Sequence, residues 1–197
     1  MVPTDRVIKF IHYTCIDGIA GRMKTLTEDE IIEQLDEQEQ LLNWLQKANE
    51  ILFSAVKTYL PQVFVNNDPD ILEYAVKPLL AKSGPLDNMD VSLRLLYALG
   101  KIKKTVYADI ICLSQFSQHV QAENSSLSFH DEMTFDFIAN LNAITENEQL
   151  FSAIRKMKFS SFEVFNTERY GNMIKTGLTL AVTSLLKELT NENNANC

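Results

Sequence analysis

Residues 41–60 carry apolar side chains at the spacing that places them on one face of an α-helix. The apolar positions are Leu41, Leu42, Trp44, Leu45, Ala48, Ile51, Leu52, Ala55, Val56, Tyr59 and Leu60. Pro61 follows directly, and a proline at this place is expected to kink or end the helix. The 197-residue chain has only six glycines and five prolines, whereas a sheet-rich protein of this size needs many more turn residues. We therefore predict an all-α protein.

The same helical spacing recurs down the chain, and each recurrence follows a residue that can cap a helix. The predicted caps are Thr27 with Glu30, Asp68 before Pro69, Asp87, Ser128, and Thr145 with Glu148. No internal repeat and no linker interrupts this pattern. We predict a single-domain bundle of about seven helices over residues 23–190.

The two ends of the chain do not share the pattern. Residues 1–22 have no clear helical period and include Gly18 and Gly21, which leaves two interpretations open. They are either an N-terminal extension of uncertain order that precedes an alternative start at Met23, or a short extra helix packed on the domain. Residues 191–197 are predicted to form a frayed tail.

The charge of the chain argues against nucleic acid as a general partner. The net charge is -8, and an acidic protein repels a phosphate backbone unless it has a local basic patch. Seven acidic residues lie between Glu28 and Glu39; we interpret them as a solvated helix face, with a docking surface for a basic partner as the alternative.

Cysteine spacing and hydropathy predict where the protein works. The three cysteines are far apart and form no CxxC pair, which favours reduced thiols, with Cys112 in the core. No apolar stretch approaches the roughly 18 residues of a membrane span. We therefore expect a cytoplasmic protein with no membrane segment.

The sequence offers no residue set that predicts catalysis. His12, His119 and His130 have no partner at the spacing of a zinc-binding helix, and Ser114 stands five residues from His119, which is poor geometry for a nucleophile and its base. Glycine-rich phosphate-binding loops are absent as well. We expect no enzyme activity, no metal and no cofactor.

Residues 92–111, with Gly100 at the turn, form the best window for a DNA-reading helix-turn-helix. Leu96 occupies a position that should be small, and the second helix is expected to present Thr105, Tyr107, Asp109 and Ser114 outward, without arginine or lysine. Lys101, Lys103 and Lys104 lie in the turn, from which they reach phosphates only. Direct DNA contact is therefore not expected, and an ordinary helical hairpin is favoured.

A longer pattern at residues 73–110 resembles the mannitol operon repressor family. The matching positions are Tyr74-Ala75-Val76, Pro78-Leu79-Leu80, Gly84-Pro85-Leu86, Ser92, Arg94-Leu95, Tyr97, Leu99-Gly100, Ile102 and Tyr107. Residues 48–63, His119 and 129–132 fit the same pattern. The resemblance implies a helical, cytoplasmic repressor of mannitol-utilisation genes that acts through a protein partner, such as another transcription regulator or a sugar phosphotransferase component, with a homo-oligomer also open.

Within this region we select Arg94, Tyr97, Gly100, Lys101, Lys103, Lys104 and His119 as candidate interaction or structural residues. For Arg94 two roles stay open, a lock between neighbouring helices and an exposed contact to a partner.

Three other functions also stay open. The chain is either a direct DNA-binding repressor without a standard motif, a small-molecule sensor with a pocket between helices, or an inactive ribonuclease-like helical domain. In the last case His119 matches the histidine of an Arg-x4-His motif, and Ser114 replaces its arginine.

Overall fold

The computed structural model describes residues 26–64, 68–123, 126–159 and 167–191. These ranges contain nine helices and no strand, which confirms the predicted all-α class. The helices are α1 (Glu28–Asp36), α2 (Leu41–Tyr59), α3 (69–80), α4 (Met89–Ala98), α5 (Lys104–Ala122), α6 (Glu132–Ala139), α7 (Asn142–Thr145), α8 (Glu148–Lys158) and α9 (Thr167–Asn191). The predicted extension at 1–22 lies outside the described residues, as do residues 192–197 of the predicted tail.

Helix α2 is the centre of the bundle and packs against α1, α4, α5 and α9. Trp44 and Leu52 on this helix are fully buried. The Trp44 ring meets Phe129 edge to face, with 6.4 Å between ring centroids. Helix α2 ends at Tyr59, and a 3-10 turn at Leu60–Val63 contains Pro61, as the proline predicts. Cys112 is only half-buried against this core, and burial raises the pKa of its thiol.

Two of the five predicted helix caps are confirmed, and three are wrong. Thr27 and Glu30 form the predicted capping box, in which the Glu30 amide donates to Thr27 Oγ1 at 3.2 Å and the Thr27 amide donates to Glu30 Oε2 at 2.8 Å. Asp68 caps α3 as predicted. The other three predicted caps are wrong by one to three residues. Asn88 replaces Asp87, Asp131 replaces Ser128, and Asn147 replaces Thr145.

Each of the three residues wrongly predicted as caps has another place in the structure. Asp87 pairs with Lys57, and Thr145 lies at the end of α7. Ser128 donates its amide and its hydroxyl to Asp131 at 2.6 and 2.7 Å. These two bonds lower the pKa of Asp131.

Helix α3 differs from the others because it buries little. It consists of Pro69–Ile71, a π-helical turn at Leu72–Val76, and Lys77–Leu80. Val76 is the buried residue among its described positions, whereas Tyr74 is 80% exposed. The chain then turns tightly at Gly84, where an added Cβ would lie 2.5 Å from the carbonyl oxygen of Pro78.

Asp109 joins α5 to the start of α7 from inside the bundle. Its side chain is only 1% exposed. The carboxylate accepts hydrogen bonds from the Asn142 amide at 2.9 Å, the Asn142 side-chain amide at 2.7 Å and the Ala143 amide at 2.7 Å. An anion at a helix start meets unpaired N–H groups, so this buried aspartate fixes where α7 begins. The sequence-based prediction that Asp109 faces outward is therefore wrong.

The first and the last described helices lie side by side. Lys187 on α9 pairs with Glu28 on α1 at 2.8 Å, and Lys175 pairs with Asp36 at 3.3 Å. Beneath these pairs Ile31 and Leu35 are buried. The two ends of the described domain therefore close the bundle together.

Candidate interaction surface

Helix α4, its C-terminal cap Leu99 and the start of α5 carry the side chains that we call the signature surface: the exposed Val91, Arg94, Tyr97 and Leu99, and the partly buried Tyr107. Val91, Tyr97 and Leu99 are 43%, 42% and 50% exposed. The rings of Tyr97 and Tyr107 stack with 5.1 Å between centroids and 14° between planes. Stacking holds the two rings in fixed positions, so a partner that docks here orders few additional side chains.

Arg94 is exposed on the signature surface, where it contacts Asp90 on its own helix and Tyr107 on α5. Its side chain is 67% exposed, and its guanidinium contacts Asp90 one turn earlier at 2.9 Å. The hydrogen bond to Asp90 and the neighbouring Tyr107 raise the pKa of Arg94. Arg94 is therefore both exposed and in contact with the neighbouring helix, and the two roles left open for it remain predictions.

Gly100 and the three lysines occupy the turn that ends α4. Gly100 has φ +66°, and the Lys101 amide donates to the Leu96 carbonyl at 2.8 Å, which is a helix end that glycine favours. Lys103 pairs with Glu188 on α9 at 2.5 Å, Lys101 is half-buried, and Lys104 is exposed. Since one lysine is neutralised and one is partly covered, the turn does not present a patch of three free cations.

His119 lies far from the signature surface. It is twelve residues beyond Tyr107 on α5, which corresponds to about 18 Å along the helix axis. Its Nε2 lies 3.5 Å from Glu123 Oε1, one turn later. Ser114 is within reach of Gln118, at 3.5 Å, rather than of a base. The structure therefore groups the residues selected at 94–104 and separates His119 from them.

Two grooves that the sequence analysis did not identify lie elsewhere on the bundle. An acidic groove of about 750 Å³ runs between α1, α7, α8 and α9, with Glu28, Glu146, Glu148 and Lys187 among its lining residues. A smaller groove of about 370 Å³ lies between α2, the start of α4 and α5, where Phe53 and Met89 stand beside amide, hydroxyl and carboxylate side chains. The lining residues come from distant parts of the chain, so their local patterns do not reveal either groove.

The described ranges contain no group of three or more histidine, cysteine, aspartate or glutamate side chains arranged to hold a metal ion. Among the helices described, none combines the length and the apolar character that crossing a bilayer requires.

Comparison with known proteins gives a family and two different functional names. The model of the mannitol repressor family (MtlR) matches residues 27–190. A protein of Escherichia coli K12 named Fumarase E is 52% identical over 168 residues, which cover 85% of this chain and 99% of that protein.

Two solved structures share the fold. A possible transcriptional regulator, YggD from Shigella flexneri, is 50% identical with a TM-score of 0.77, covering 84% of this chain and 99% of its own. MtlR of Escherichia coli, solved in complex with HPr, is 24% identical with a TM-score of 0.68. The match covers 83% of this chain and 98% of the MtlR chain. The family match spans nearly all of the helical domain, including the signature surface, and the chain belongs to the mannitol repressor family.

Proposed function

We propose that this chain is a repressor-type regulator of mannitol-utilisation genes that acts by binding another protein through the signature surface. The observation that carries the proposal is that the exposed side chains of Arg94 and Tyr97 both contact the partly buried ring of Tyr107, which holds them in place. Arginine and tyrosine are enriched among the residues that dominate binding energy at protein interfaces. Membership of a repressor family supports the regulatory part of the proposal.

The kind of partner is a protein rather than DNA. The α4–α5 turn pairs Lys103 with Glu188, and α5 buries Asp109 where a recognition helix would present a base-reading side chain. MtlR, which shares this fold, has been solved with HPr bound. We propose HPr or another regulator as the partner, and an HPr-like protein is the first to test.

The contact is tested by measuring binding of purified HPr to the full chain by calorimetry. Tyr97→Ala is expected to weaken binding by about 1 to 3 kcal/mol, because a central aromatic anchor is lost. Met133→Ala is the matched control, since Met133 is 41% exposed against 42% for Tyr97 but lies on α6. Arg94→Ala is paired in the same way with Arg169→Ala on α9.

Equal effects of the signature variants and their controls would contradict the proposed surface. If HPr does not bind at all, the same variants are compared in a pull-down from cells grown on mannitol. A band recovered by the wild type and by Met133→Ala, but lost in Tyr97→Ala, supports the surface. Mannitol specificity is tested separately by transcript levels of the mannitol genes in a deletion strain.

A second candidate function is the hydration of fumarate, which the 52% identity to the protein named Fumarase E favours. This reaction needs groups that bind two carboxylates and a general base. Of the two grooves above, the acidic one offers Lys187, already paired with Glu28, and the smaller one is lined by no arginine, lysine or histidine. Neither groove favours a dianion.

The enzymatic candidate is tested by following the ultraviolet absorbance of fumarate with purified chain. His119→Ala and His130→Ala are the variants of choice, because histidine is the side chain that most often transfers protons near neutral pH. Conversion that disappears in one of these variants would establish the enzyme. Conversion no faster than with heat-denatured protein would exclude it.

A further inference from the structure

Helix α3 exposes a row of apolar side chains that we call the α3 stripe. Its members are exposed and follow the spacing that places residues along one side of a helix: Ile71, Tyr74, Ala75, Pro78 and Leu79. Tyr74 is 80% exposed, and Ile71 and Leu79 are 40% and 36% exposed. An amphipathic helix of a globular protein normally turns such a row toward the core. In α3 the bundle buries Val76 instead, and the row faces outward.

The rest of the bundle holds α3 through few contacts. Among the described elements, the 3-10 turn at Pro85–Asp87 is the one that packs extensively against this helix. Leu80, at the end of α3, reaches the core. Single exposed apolar residues are ordinary, whereas a contiguous row of them marks a place where another surface binds. The α3 stripe therefore has the character of an interface that one bundle alone does not complete.

The charges at the two ends of α3 indicate what completes it. Asp68 and Asp70 are exposed at the N-terminal end, and Lys82 is exposed just beyond the C-terminal end. Within the described ranges neither Asp70 nor Lys82 forms a salt bridge. When two α3 helices run antiparallel, the acidic end of each lies beside the lysine of the other, and their dipoles oppose. A second copy of this chain matches both ends at once, whereas a partner of a single charge sign matches only one.

The α3 stripe is also symmetric about its middle. Ile71 and Leu79 each stand four residues from Ala75. A two-fold axis at Ala75 therefore places Ile71 of one copy against Leu79 of the second copy, which is the self-complementarity that a two-fold interface requires. The small side chain of Ala75 lets the two helices approach closely at the axis. Asp70 and Lys82 lie five and seven residues from the same point, so the antiparallel pair brings them together as well.

We propose that the chain forms a two-fold symmetric dimer in which two α3 helices pack antiparallel through the α3 stripe, with Ala75 at the axis. The signature surface lies on α4 and α5, so the dimer carries it twice. The test uses the chain alone, and its outcome does not depend on whether the partner proposed above is correct.

Self-association is measured by sedimentation equilibrium of the full chain over a range of concentrations. We expect the mass to rise from the 22.4 kDa of one chain toward twice that value. Tyr74→Ala should raise the Kd of the dimer at least about tenfold, because it removes an aromatic side chain from the centre of the interface. Tyr97→Ala is the matched control, since it removes the same side chain from the signature surface and should leave the Kd unchanged.

The antiparallel arrangement is tested by exchanging the charges at its ends. Asp70→Lys and Lys82→Glu should each raise the Kd of the dimer by about three- to tenfold, because like charges then face each other twice. An equimolar mixture of the two variants should associate as tightly as the wild type, since every lysine again faces a carboxylate. Asp136→Lys, at an exposed position of α6, is the control and should have no effect.

A disulfide locates the axis. Ala75→Cys, in a chain whose Cys15 and Cys197 are serine, should form a disulfide between two copies on mild oxidation, because symmetry places residue 75 beside its equivalent. Ala122→Cys, at the exposed end of α5, should not. A mass of one chain at every concentration, equal effects of Tyr74→Ala and Tyr97→Ala, or no disulfide at position 75 would overturn the proposal. A monomer that binds HPr and loses this binding in Tyr74→Ala would likewise overturn it and assign the α3 stripe to a different protein.

Discussion

Replacement of Asp109 by alanine is expected to destabilise the protein more than a typical aspartate substitution does. The carboxylate is 1% exposed and accepts three hydrogen bonds of 2.7 to 2.9 Å from Asn142 and Ala143. Bonds to a charged acceptor contribute about 1.5 to 3 kcal/mol each, and their loss leaves two backbone N–H groups without a partner. Because the three bonds share one acceptor and are not additive, we expect a loss of about 3 to 5 kcal/mol.

The assay is urea denaturation followed by far-ultraviolet circular dichroism. Asp109→Asn keeps one oxygen but turns an amide N–H group toward an N–H donor, so it should cost about 1 to 3 kcal/mol. Asp136→Ala, on the exposed face of α6, is the control and should change the free energy of unfolding by less than about 0.5 kcal/mol. If Asp109→Ala and Asp136→Ala differ by less than about 1 kcal/mol, the carboxylate does not hold α7 in place as argued.

Other consequences follow from single residues of the fold. Burial raises the pKa of Tyr170 from 10.0 to about 12, so the unfolded chain releases this proton first and stability should fall as pH rises from 10.0 to about 12. Tyr170→Phe should remove that decline. Because the buried hydroxyl has no partner among the described residues, the same substitution should raise the free energy of unfolding at neutral pH by up to about 1 kcal/mol. A decrease in the free energy of unfolding of more than about 1 kcal/mol would contradict this expectation. Gly84→Ala should cost about 2 to 3 kcal/mol, since the new Cβ meets the backbone oxygen of Pro78 at 2.5 Å. A Cβ added at Gly100 meets nothing within 4 Å, so Gly100→Ala should cost only the roughly 1 kcal/mol of a left-handed backbone. A denaturation midpoint that is lower for Gly100→Ala than for Gly84→Ala would contradict this account.

Local patterns in the sequence predicted the parts of the fold that depend on neighbours along the chain. The capping box at Thr27 and Glu30, the cap at Asp68 and the turn at Gly100 each involve partners within a few residues. The amphipathic spacing of residues 41–60 likewise identified Trp44 as a core residue. Such features are fixed by backbone geometry, so a sequence without structural context is sufficient to predict them.

The incorrect predictions involve partners that are distant or competing. The expected outward position of Asp109 is wrong because its hydrogen-bond donors, Asn142 and Ala143, are more than thirty residues away in the sequence. The prediction of Ser128 as a helix cap is wrong because its hydroxyl donates to the nearby Asp131, and Asp131 is the residue that caps the helix start. The family resemblance indicated Arg94 and Tyr97 as candidate residues, whereas the exposure of Val91 and the stacking of Tyr97 on Tyr107 needed the structure.

The pairing of α1 with α9 has a consequence for how the protein is made. The Glu28–Lys187 contact joins residues 159 positions apart, and the α1 core residues Ile31 and Leu35 are covered in part by the last described helix. During synthesis, the apolar face of α1 cannot be fully buried until α9 has emerged from the ribosome, which happens only when nearly the whole chain has been made. A nascent chain that stalls before α9 should therefore remain open to chaperones and proteases, and truncation within α9 should lower the yield of protein in cells more than truncation after residue 191.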